Sequence, residues 1–183
     1  MSWAQEITDH YRKVWGAEPE TCQFSAGPVD ELPEGFTVVR FPPHGDREMW
    51  TYATVGMSVI SDECPMELHL FSPHASPGLV EILYAVAHYN RNAHKLGLAH
   101  TVNFGQPWID ESSCQYGLVS LPYLDGPGLE TAQIFGREVN FYWLIPIAKS
   151  EVDFKKACGI QALEDAFERA QFNYLDPHRQ SVA

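Results

Sequence analysis

The sequence predicts a single α+β domain: a mixed, mainly antiparallel sheet covered by helices. Three observations carry this. Runs of β-branched and aromatic residues with a period of two recur along the chain, separated by Gly/Pro turns. Other segments carry the 3.6-residue helical period with start and stop signals, and they flank the strand runs without alternating with them strictly. Finally, 183 residues with 45% hydrophobic content suffice for one buried core, and no linker, repeat or low-complexity tract divides 1–183.

The elements follow in order. Residues 2–15 read as a helix, with Ser2 as N-cap, Trp3, Ile7, Tyr11, Val14 and Trp15 on one stripe and Gly16 as the stop. Residues 16–35 mix prolines, glycines and acids and read as a connector to the core, 36–181. "FTVVRF" (36–41) is a strand stopped by Pro42 and Pro43. "EMWTYATVGMSVI" and "PMELHLF" alternate around "SDEC" and predict a hairpin. Ser76 and Pro77 open a helix whose stop is read at Gly97.

"HTVNF", "YGLVSL" and "EVNFYWLIPI" add strands, with "GQPWIDESSCQ" and "PYLDGPGLETAQIFGR" read as loops between them. The run 139–148 is apolar on both sides, as a central strand covered on two faces requires, and pairing is expected to fade at Pro146. Ser150 with Asp153 then reads as a capping start, with Glu151 in the first turn, Lys155 and Lys156 later, and Gly159 splitting the last helices.

Charge narrows the functional classes. The chain holds 24 Asp and Glu against 12 Lys and Arg, and 14–39, 48–90 and 96–136 contain no base at all. A nucleic-acid ligand is excluded, because phosphate binding needs a basic footprint; a basic protein partner is favoured. No run reaches the roughly 18 uncharged apolar residues of a membrane span, and the N-terminus lacks the apolar block of a signal peptide, so no membrane association and a cytoplasmic location are expected. Cys22, Cys64, Cys114 and Cys158 lie far apart and are expected to be free thiols.

No motif announces a reaction. HExxH, GxxxxGK, GxGxxG and GxSxG are absent, and His88 and His94, six apart on a helix, point about 600° round from one another. Neither a metal nor a cofactor is expected, and no catalytic residue is assigned. Cys114 with His100 is the best thiol–imidazole pairing, and Asp110 with Glu111 the best carboxylate pair, but neither has a supporting local pattern. A hydrolase-like site assembled only in the fold is therefore the alternative to a binding protein. Recognition fits the loops better: Trp108 stands beside Asp110 and Glu111, and Tyr123 beside Asp125 and Glu130, aromatic anchors ringed by acids.

The ordered blocks "WTYATVGMS" (50–58), "ELHLF" (67–71), "LYAVAHY" (83–89), "GQPW" (105–108), "FYWLIPIAKSE" (141–151), Gly159 and "LDPHRQS" (175–181) resemble the suppressor of fused domain family. The resemblance implies a protein-binding domain and not an enzyme. In animals the related protein restrains a zinc-finger transcription factor by gripping a short peptide as an added strand between two lobes. This chain has the length of one lobe, so that clamp and its contact residues are not carried over. It resembles the short single-domain bacterial members, which look like immunity proteins that neutralise a partner toxin. A housekeeping regulatory adaptor of the same fold is the other reading.

Overall fold

A computed structural model of the chain describes residues 2–183. Helix α1 is Trp3–Trp15; Ser2 Oγ accepts from Gln5 N (3.2 Å), and Gly16 takes the left-handed conformation (φ 68°) that ends it. The strands are β1 (Glu20–Cys22), β2 (Thr37–Phe41), β3 (Trp50–Val55), β4 (Met66–Ser72), β5 (Thr101–Asn103), β6 (Cys114–Ser120), β7 (Thr131–Ile134) and β8 (Arg137–Ala148). The other helices are α2 (Pro77–Asn92), the single turn α3 (Pro127–Glu130), α4 (Lys149–Cys158) and α5 (Ile160–Ala170).

The strands form one sheet in the order β1-β2-β3-β4-β8-β6-β5, and β7 pairs with the first part of β8. All pairs are antiparallel except β4–β8, so the α+β class with a mixed, mainly antiparallel sheet is observed. On one face α2 buries Leu79, Leu83 and Val86 against Tyr52, Leu68, Leu70 and Leu144. On the other face α1 packs Ile7, Tyr11 and Trp15 on Phe41, Ala53 and Phe141. Beside it, α4 and α5 pack Val152, Leu163 and Phe167 on Leu118, Trp143 and Ile145.

Buried carboxylates tie the elements together. Glu67 on β4 accepts from Thr54 Oγ1 (2.6 Å), Met57 N (3.2 Å), Ser58 N (3.0 Å) and Ser58 Oγ (2.7 Å), holding the turn of the β3–β4 hairpin. Burial pushes its carboxyl above the ordinary value against these four donors. Glu151 accepts from Ala148 N (2.7 Å) and Val182 N (3.1 Å), and Arg179 grips it bidentately at 2.7 and 2.9 Å. The C-terminal segment is thereby latched to the β8–α4 corner.

Several boundaries differ from the sequence reading. β1, α3 and β7 lie in stretches read as connector and loop, since each is too short to show a period. The β7–β8 turn is Phe135–Gly136, both at positive φ, a tight hairpin without the usual Asn-Gly signal. Helix α2 ends at Asn92, five residues before Gly97, because the buried Asn90 side chain accepts Leu96 N (2.8 Å) and turns the chain. Helix α4 starts at Lys149, so Ser150 is not its cap; Glu151 reaches back to Ala148 N instead. At Pro146 the two sides of β8 differ: pairing with β6 continues past it to Ala148, whereas pairing with β4 ends at Trp143 although β4 runs on to Ser72, as expected beside a residue with no N–H to donate, and the Pro146 carbonyl accepts Arg179 Nη2 (3.1 Å) instead.

Candidate functional site

The loop 104–113 joins β5 to the start of β6. Trp108 anchors it: the backbone N donates to Cys114 O (3.0 Å) and the indole Nε1 to Ser112 Oγ (2.9 Å). The ring is 2% exposed and packs into the α2-side core, which leaves Asp110 and Glu111 exposed at the tip, with Glu111 at positive φ (67°). The loop 121–130 leaves the other end of β6 and crosses the second face between α1 and α5. Tyr123 is 59% exposed and its hydroxyl donates to Glu164 Oε1 on α5 (3.2 Å). Glu130 ends α3, half-buried.

Asp125 turns inward. Its Oδ1 accepts from Arg47 Nη1 (2.5 Å) and Trp15 Nε1 (3.0 Å), its Oδ2 lies 3.9 Å from His69 Nε2, and its side chain is 3% exposed. Arg47 lies over the rings of Trp15 (5.3 Å) and Phe71 (5.6 Å). Burial, and then Arg47, push the His69 imidazole down to about 3, so it is neutral under ordinary conditions. Trp108 and Asp125, read from sequence as parts of a contact surface, are thus placed inside the molecule: one props its loop from beneath, and the other pins its loop to α1 and the sheet.

The structure also separates the two loops. One precedes Cys114, opposite Ala148, and the other follows Ser120, opposite Trp143. They lie at opposite ends of a seven-residue strand, about 20 Å apart along it. The outward residues therefore form two patches: Asp110 with Glu111, and Tyr123 towards Glu130.

Cys114 and His100 are not brought together. Cys114 begins β6, whereas the His100 backbone meets Val119 near that strand's far end. Burial raises the Cys114 thiol above its ordinary value, against thiolate formation. The four cysteines are unpaired. Among the described residues, no three His, Cys, Asp or Glu side chains gather to hold a metal ion, and no helix is long and apolar enough to cross a membrane.

Sequence reasoning did not find Arg47, His69 and Glu151 as partners of these corners. The contacts Arg47–Asp125 and Arg179–Glu151 span 78 and 28 residues, and no local pattern signals such pairs.

Comparison with known proteins agrees with the fold. The family model for the suppressor of fused protein (SUFU) matches residues 33–180. A crystal structure of a SUFU homolog from Neisseria gonorrhoeae is 31% identical, with a TM-score of 0.86 over 99% of this chain and 97% of that one. The Sufu–Fu complex structure matches at 15% identity and TM-score 0.71, over 98% of this chain and 92% of that chain. Drosophila Suppressor of Fused matches at 15% identity and TM-score 0.70 over 96% of this chain, which spans half of that protein's length. No curated protein matches the chain significantly in sequence. With a family match over most of its length and a bacterial homolog of nearly identical extent, the chain belongs to the suppressor of fused family.

Proposed function

We propose that this chain acts by binding a protein and not by catalysis, that its partner is basic, and that it works inside the cell as an inhibitor of that partner, as an immunity protein neutralises a toxin. The observation that carries the reading is the stretch 96–136, which has no Lys or Arg and exposes Asp110, Glu111 and Tyr123 with Glu130 half-exposed. A toxin that acts on nucleic acid has a basic cleft, and acidic loops with an aromatic anchor would be drawn to it over distance and fill it. Support from relatives is of a general kind: the Sufu of the Sufu–Fu structure, which shares this fold, is seen in a protein complex.

Affinity capture by the whole chain from its native cell extract, at low and at high salt with mass-spectrometric identification, tests this. Basic proteins should be captured at low salt and lost at high salt. Captured proteins that are not basic, or capture indifferent to salt, would overturn it.

A further inference from the structure

A groove crosses the second face of the sheet between the 121–126 loop and α5. Leu118, Trp143 and Ile145 floor it, Phe167, Phe172 and Tyr174 wall it, and its volume is about 550 Å³, large enough for bulky side chains. Tyr123 and Leu124 form its other bank at 59% and 45% exposure, two adjacent large apolar side chains left in water. Trp143 is 97% buried here, and its Nε1 N–H has no acceptor.

The rim is acidic. Glu164, Asp165 and Glu168 line it, and no Lys or Arg does. None of the three belongs to an ion pair among the described residues; Glu164 accepts only from Tyr123 and Asp165 only from Gln161. Glu164 and Glu168 stand four apart on one helix face, where like charges repel, so a cation placed there relieves the helix as well as binding to it.

We propose that this groove docks a basic amphipathic segment of a partner protein. An aromatic or branched apolar side chain inserts between Tyr123 and Phe172 onto Trp143, and flanking Lys or Arg residues pair with Glu164, Asp165 and Glu168. The proposal rests on the reading of the chain as a binder of basic protein, and it gives that reading a location distinct from the Asp110–Glu111 tip. Charge argues against the other occupants. An anionic membrane is repelled by the rim, and a second copy of the chain brings its own net charge of −12.

The probe is a synthetic amphipathic peptide of Leu and Lys, about four helical turns long, titrated into the isotopically labelled full chain. The peptide should shift the signals of Tyr123, Leu124, Glu164 and Glu168 and the indole N–H of Trp143. Glu164→Lys combined with Glu168→Lys should weaken binding about tenfold, and the charge-matched Glu34→Lys with Glu63→Lys, on exposed positions outside the groove, by less than about twofold. Circular dichroism of both variants should match the wild type. Absence of binding, shifts centred elsewhere, equal losses in both variants, or dimerisation through the groove would each overturn the proposal. Salt-sensitive capture of basic proteins that is undiminished in the Glu164→Lys, Glu168→Lys variant would remove the groove and leave the broader reading standing. Peptide seated in the groove, with no basic protein captured by the wild type, would overturn the broader reading and the proposal with it, because no basic partner would then supply the docked segment.

Discussion

The carboxylate of Asp125 is enclosed by Arg47, Trp15 and His69, so its charge acts within the protein. Asp125→Ala leaves Arg47 over the aromatic rings without its counter-ion and should cost about 3 kcal/mol of stability in urea unfolding, as breaking a mostly buried pair does. His69 adds a pH dependence. Its folded value lies near 3, below the ordinary 6.5, so on acidification the unfolded chain takes up a proton that the folded chain refuses. This contribution is intact above pH 6.5 and falls by up to about 1.4 kcal/mol per pH unit on the way down to 3. His69→Gln should flatten the stability profile by this one-proton slope. Equal slopes for variant and wild type between pH 6.5 and about 5, where few carboxylates titrate, would show that His69 titrates normally.

Strands and helices here are joined at points that local pattern does not reveal. The sequence places Glu151 in the first turn of a helix, as the helix dipole favours, and that position is observed. Its pairing with Arg179 is the larger effect. Glu151→Ala should destabilise the chain by roughly 3 kcal/mol and speed hydrogen exchange at Val182, and Arg179→Lys should fail to substitute because a single ammonium cannot make the fork. On β6, Gly117 is required by packing and not by its backbone. A Cβ there would lie 2.6 Å from Leu144 Cδ1 and 2.7 Å from Phe104, so Gly117→Ala should cost about 1–3 kcal/mol in chemical denaturation. The strand "YGLVSL" was legible from its alternation, but the close approach that demands glycine is set by residues 13 and 27 positions away in sequence.

At the scale of the molecule, β8 belongs to every core. Leu144 lies in the α2 cluster, Val139 and Phe141 in the α1 cluster, and Trp143, Ile145 and Ile147 in the α4–α5 cluster. The chain should therefore unfold in one cooperative transition, with tryptophan fluorescence and far-ultraviolet circular dichroism coincident; separated transitions would contradict this. The same integration explains the blocks that carry the family resemblance. "WTYATVGMS" meets "ELHLF" through Glu67 with Thr54 and Ser58, and "FYWLIPIAKSE" meets "LDPHRQS" through Glu151 with Arg179. Alternation, helical period and caps act between near neighbours, so the sequence by itself determined the α+β class, the long elements, the base-free acidic stretches and the family. Whether an acid faces water or a buried arginine depends on which distant segments the fold brings beside it. Only the tertiary structure could therefore turn Asp125 and Trp108 inward, set the two acidic loops at opposite ends of β6, and open the groove between Tyr123 and α5.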